Sequence, residues 1–126
     1  MINRFAEQIE KTLSSDPVIL STSIQKHFGP DNKTVYIKGS VVLIDSSVLE
    51  IAIFAYRARN SVVVDKYRFH YMDLKWQLVF RYDNAPHHRE VDSFPHHKHL
   101  PDKVIRAGIP SLQNVLDEIS AFILSR

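Results

Sequence analysis

The sequence predicts an α+β fold, with a helix at each end of an antiparallel sheet. Three observations carry this. Apolar residues recur at helical spacing near both termini. Between them lie five segments rich in β-branched and aromatic residues. The stretches separating those segments are short turns, too short for the crossovers that parallel strands require.

Near the N-terminus, Phe5, Ala6, Ile9 and Leu13 form a narrow apolar stripe, and Asp16-Pro17 ends the helix because a residue before proline avoids helical geometry. The first strand is VILSTSIQKHF (Val18 to Phe28), expected to place Val18, Leu20, Thr22, Ile24 and Phe28 on one face. GPDNK turns the chain into TVYIKGSVVLI (Thr34 to Ile44), and DSS turns it into VLEIAIFAYRA (Val48 to Ala58). There Leu49, Ile51, Ile53 and Ala55 oppose Glu50, Ala52, Phe54 and Tyr56. After RNS, the strand VVVDKYRFHYM (Val62 to Met72) sets Val63, Tyr67, Phe69 and Tyr71 against Lys66, Arg68 and His70. DLK leads to WQLVFRYDN (Trp76 to Asn84), with Leu78, Phe80 and Tyr82 towards the core and Gln77, Val79, Arg81 and Asp83 away from it. From Asp83 to Ile109 an irregular segment is expected, punctuated by Pro86, Pro95 and Pro101. Pro110 opens the last helix, whose stripe of Leu112, Val115, Leu116, Ile119, Phe122 and Ile123 is broad enough to pack on a sheet. The expectation is one domain over residues 1–126: helix, meander of about five strands, histidine-rich loop, helix.

The chain has no cysteine, which excludes disulfides, thiolate metal sites and a cysteine nucleophile. No run approaches the roughly 20 apolar residues of a membrane span, and the first residues lack a signal-peptide core. These features predict a cytoplasmic protein without a membrane role. Charge is unevenly placed: Arg57 to Arg106 holds ten Lys/Arg against six Asp/Glu, and six of the seven histidines. A basic stretch of this kind attracts phosphate, and so RNA.

NAPHHREVDSFPHHKH (Asn84 to His99) contains five histidines and two Pro-His-His repeats. His87, His88, His96, His97 and His99, with Glu90 and Asp92, offer more than enough metal ligands, but the spacing matches no zinc signature. In extended chain, adjacent histidines point opposite ways, so each pair would give one ligand. The same residues suit metal-free RNA cleavage: imidazoles titrate near working pH, and arginine forks bind phosphate. Candidate site residues are Arg68, His70, Arg81, Asp83, His87, His88, His96, His97 and His99, with Lys66 alongside. Arg81 is first choice for stabilising the phosphate, and His88 and His97 for proton transfer. Tyr71 or Tyr82 would stack on a base, although alternation assigns both to the core.

KYRFHYMD (Lys66 to Asp73), LVFRYDNAPHH (Leu78 to His88), FPHHKH (Phe94 to His99) and PSLQNVLDEI (Pro110 to Ile119) together resemble the TumE family of prokaryotic toxins. The family usually has a glycine in the hairpin before the Arg-Tyr-Asp strand, where this chain reads DLKWQ. The resemblance implies the toxin of a type II toxin–antitoxin pair, paired with a helix-turn-helix antitoxin and acting on RNA as a metal-independent ribonuclease. No cofactor and no resident metal are then expected, and self-association stays open. A helix followed by an antiparallel sheet is also similar to the small RelE-like ribonuclease toxins at the level of fold. Two other readings stay open: a non-catalytic module binding nucleic acid or its antitoxin, and a His-ligated metal-dependent nuclease or other hydrolase.

Overall fold

The structure is a computed structural model that describes residues 1–126. Helix α1 (Ile2–Ser15) precedes strands β1 (Ile19–Phe28), β2 (Thr34–Leu43), β3 (Val48–Arg57), β4 (Val62–Met72), β5 (Leu78–Asp83), β6 (His97–Leu100) and β7 (Lys103–Arg106), and α2 (Leu112–Leu124) closes the chain. The sheet has seven strands in the order of the sequence, each antiparallel to its neighbours. The expected five strands are therefore present, but the count is too low. The segment read as irregular from Asp83 to Ile109 contains a hairpin of two four-residue strands around Pro101-Asp102. Runs this short, in which His, Lys and Arg outnumber Leu, Val and Ile, offer no apolar alternation to read.

Both helices bury against one face of the sheet. Ile2, Ala6 and Leu13 of α1 and Leu112, Val115, Leu116 and Ile119 of α2 join alternate residues of β2 to β5 in a single core. Tyr71, packed edge-on against Phe122 of α2, donates from its hydroxyl to Ser47 Oγ at 2.7 Å. The Ser111 hydroxyl caps α2 by accepting from Asn114 N, and Asn114 Oδ1 accepts in return from Ser111 N. The other sheet face carries no helix.

The first strand departs from the expected alternation. A bulge falls between Ile19 and Ser21, so Leu20 drops out of register and stands 65% exposed, and Phe28 at the far end is also exposed. Ile19 packs on the core in place of Leu20, beside the expected Val18 and Ile24. Gly39 opposite Ile24 has φ 154°, and a Cβ there would stand 2.0 Å from Ser23 O, so only glycine lets β1 lie this close.

The β4–β5 hairpin is closed by Asp73, whose Oδ1 accepts from Lys75 N and Gln77 N at 2.8 and 3.1 Å. Trp76 in this turn has φ 64°, the left-handed region, and is 69% exposed. Left-handed geometry costs a residue with a Cβ about 1–2 kcal/mol, and its side chain recovers little at that exposure. Trp76→Gly should therefore raise stability by roughly 0.5–1 kcal/mol after allowing for glycine's greater freedom when unfolded. A urea titration checks this, and an unchanged or lowered midpoint would refute it.

Candidate functional site

Strand register assembles the site on the helix-free face. Glu50, His70, Arg81, His99 and Val104 lie in one row across β3 to β7, and Ala52, Arg68, Asp83, His97 and Arg106 lie in the next. The sequence reading could place Arg68, His70, Arg81 and Asp83 on this face. It could not see that β6 adds His97 and His99 beside them.

Asp83 is the hub. It is 4% exposed, and its Oδ1 accepts from Ala85 N at 2.9 Å. His97 Nε2 stands 3.0 Å from Oδ1, and His99 Nε2 stands 3.4 Å from Oδ2. Arg81 Nε is 3.2 Å from Oδ2, yet its N–H is not aimed to donate, so that pair is held by charge. His97 is 1% exposed, and its Nδ1 donates to Pro95 O at 2.9 Å. Its ring is therefore shielded from solvent. His99 is partly exposed, with Nε2 3.1 Å from His97 Nε2. His88 completes the group, its ring 4.9 Å from that of His97 and 5.2 Å from that of His99, while its Nδ1 pairs with Glu90 Oε1 at 3.0 Å. One ring nitrogen from each of His88, His97 and His99 lies within 4.8 Å of the others, so these three are the residues able to hold a metal.

Each Pro-His-His repeat thus contributes one imidazole to the cluster. His87 stands exposed outside it. His96 turns the other way and stacks on Tyr67 of the core face, with Nδ1 3.0 Å from the tyrosine hydroxyl. Burial, reinforced by Asp83, pushes that phenol well above its usual range. Alternation explains the rest: Lys98 points between His97 and His99 to the helix side, where Nζ reaches Glu118 Oε2 at 2.6 Å. Tyr82 donates to the other oxygen of Glu118 at 2.6 Å, and Tyr71 is fully buried, so neither tyrosine is free to stack on a base.

Beside the cluster runs a groove of about 730 Å³ whose lining includes Tyr36, Phe54, Lys66, Arg68, Arg81 and Asn84. Tyr36 and Phe54 are register partners on β2 and β3, and Arg68 is exposed. Sequence reasoning missed Tyr36, although the alternation that put Phe54 away from the core could have found both. It also missed the role of Asn84, which accepts from Tyr67 N and donates to Asp65 O, clamping the end of β5 to β4 where the pairing of β4 with β3 skips Asp65.

His70 is half-buried between Glu50 and Arg81 in its row. Burial, with help from the Arg81 charge, lowers its pKa from 6.5, and nearby Glu50 only partly offsets this. Its Nδ1 is buried without a partner, so charging the ring would bury an unpaired N–H. The sequence model of the family described as Toxin TumE matches residues 6–126, nearly the whole chain. The chain belongs to the TumE toxin family. Membership implies an antitoxin partner for this toxin. No curated protein and no solved structure matches it. No helix is long and apolar enough to cross a membrane.

The depressed pKa of His70 has a stability consequence. The unfolded ring takes up a proton near 6.5, and the folded ring only at lower pH. Its contribution to stability is complete above that pH and is lost as pH falls through the folded value. His70→Gln should flatten the fall in urea midpoint between roughly pH 7 and pH 5. Ring titration by NMR checks the cause, and a His70 midpoint at or above 6.5 contradicts it.

Proposed function

We propose that this toxin is an endoribonuclease that cleaves RNA on the helix-free face of its sheet. The observation that carries the reading is Arg68 and Arg81 at a groove with aromatic walls, with His70 beside Arg81. Guanidinium groups suit a phosphodiester because each donates paired hydrogen bonds. Tyr36 and Phe54 suit unpaired bases, which stack on aromatic faces at about 1–3 kcal/mol each.

The chemistry requires no covalent enzyme intermediate. The ribose 2′-oxygen attacks the adjacent phosphorus, and the bond from phosphorus to the 5′-oxygen breaks. His70, neutral near pH 7, accepts the 2′-hydroxyl proton. Arg68 and Arg81 stabilise the charge on the phosphorane-like transition state. In the register row His70 and His99 flank Arg81, one strand away on either side, which separates those strands by about 10 Å. A phosphate on Arg81 thus has the attacking oxygen towards His70 and the leaving 5′-oxygen towards the imidazole cluster. The leaving oxygen takes its proton from solvent. The products are a 2′,3′-cyclic phosphate end and a 5′-hydroxyl end.

Arg68 gives the cleaner test, because Arg81 faces the buried Asp83 carboxylate while Arg68 is exposed and makes no ion pair. Arg68→Ala should change stability by no more than about 0.5 kcal/mol. RNA cleavage should fall about 10²–10³-fold, with growth restored on induction. Full activity in both Arg68→Ala and His70→Ala would remove the site from this face. RNA retained in a salt-dependent way with no product would identify a binding module instead.

The antitoxin in this reading is a small helix-turn-helix protein, cytoplasmic like the toxin, that covers the basic groove with an acidic segment. Lys66→Glu combined with Arg68→Glu should weaken co-purification of the two proteins, most of all by slowing association. Failure of the wild-type toxin to associate at micromolar concentration would exclude a protein antitoxin of this kind.

A further inference from the structure

We infer that His88, His97 and His99, with Asp83 beside them, form a binding site for one divalent transition-metal cation of zinc-like ligand preference. The inference rests on which ring nitrogens are already engaged. The Nδ1 of His97 lies 2.9 Å from the carbonyl of Pro95, which can only accept. That nitrogen therefore carries the hydrogen, and Nε2 of the neutral ring carries a lone pair. This lone pair faces Asp83 Oδ1 at 3.0 Å and His99 Nε2 at 3.1 Å. With its hydrogen on Nδ1, His99 presents a lone pair too, and three electron-rich atoms, two of them on buried side chains, then repel one another unless a cation sits among them. A single proton on His97 Nε2 relieves one contact well and the other poorly, whereas a metal ion relieves both.

The spacing fits a tetrahedral ion. Ligands at roughly 2.0–2.1 Å from zinc stand about 3.3 Å from one another. The His97–His99 nitrogen separation is 3.1 Å, and Asp83 flanks the pair with Oδ1 3.0 Å from His97 and Oδ2 3.4 Å from His99. The three rings meet edge-on at interplanar angles of 64°, 79° and 71°. His88, partly exposed on the loop, needs only a small ring movement to close from within 4.8 Å.

Two of the rings are also supported as metal-binding imidazoles are. A ligating histidine commonly gives its second N–H to a carbonyl or carboxylate, which fixes the tautomer and aims the other nitrogen at the metal. Pro95 O does this for His97, and Glu90 Oε1 does it for His88. Imidazole donors favour zinc, copper, nickel and iron over magnesium or calcium. If the endoribonuclease reading holds, the ion lies across Arg81 from His70 and supplies a Lewis acid beside the leaving oxygen. Binding of the ion does not depend on that reading.

The test is calorimetric titration of the full chain with zinc after stripping with a chelator, repeated with cobalt and read by visible absorption. One equivalent should bind, with cobalt bands of tetrahedral intensity. His99→Ala, which removes a partly exposed ring, should weaken binding by about 10²-fold or more, and Glu90→Gln by about 10-fold. His87→Ala, adjacent in sequence but outside the cluster, should bind as the wild type does. Thermal unfolding should rise on adding zinc to the wild type and stay unchanged in His99→Ala, which guards against misfolded variants. Sub-stoichiometric binding, or equal losses in His87→Ala and His99→Ala, would overturn the inference and leave an Asp83–His97 ion pair as the account of the geometry. Metal binding without RNA cleavage would overturn the endoribonuclease and keep the metal site. Cleavage that survives chelation, with no stoichiometric metal, would do the reverse.

Discussion

The arrangement of the helix-free face depends on one buried carboxylate. Asp83 ends β5, and around it converge an arginine from its own strand, two histidines from β6 and the amide of Ala85 that starts the loop. A carboxylate taken out of water costs several kcal/mol unless positive or donor groups replace the lost hydration. That requirement pulls the loop back onto the sheet. It fixes where β6 begins, and so which imidazoles gather at Asp83.

The two sheet faces divide the work. One buries alternate apolar residues of β2 to β5 under both helices, and supplies the packing. The other is left to polar chemistry and gains no comparable burial. The faces are joined at β5 and β6, where Tyr82 and Lys98 both bind Glu118 of α2 while their sequence neighbours Arg81, Asp83, His97 and His99 serve the opposite side.

Much of this was legible in the sequence, and what was hidden had physical causes. Alternation in β3, in β4 from Tyr67 to Tyr71 and in β5 revealed the core face and the positions of Arg68, His70 and Arg81, whereas a register shift at Asp65 puts Val62 and Val64 on the core where Val63 was expected. The β1 face was misjudged because a bulge at Leu20 breaks the period of two and an edge strand has little core to meet. Strands β6 and β7 were invisible because pairing, and not apolar pattern, defines them. Adjacent histidines were correctly expected to diverge, yet only the fold decides which member of each pair turns inward. His96 is taken by Tyr67 and His97 by Asp83, both long-range partners.

The sheet is a pure meander, with every strand paired to the strand before and after it in the chain. Such pairings are local in sequence, and chains with low contact order close small loops and fold quickly for a sheet protein. The groove and the imidazole cluster draw their charged and aromatic groups from β2 through β6, and so need neither terminus to be brought to the other. The groove walls are thus set by neighbouring strands and the loop that joins β5 to β6, without any lining residue from the chain ends.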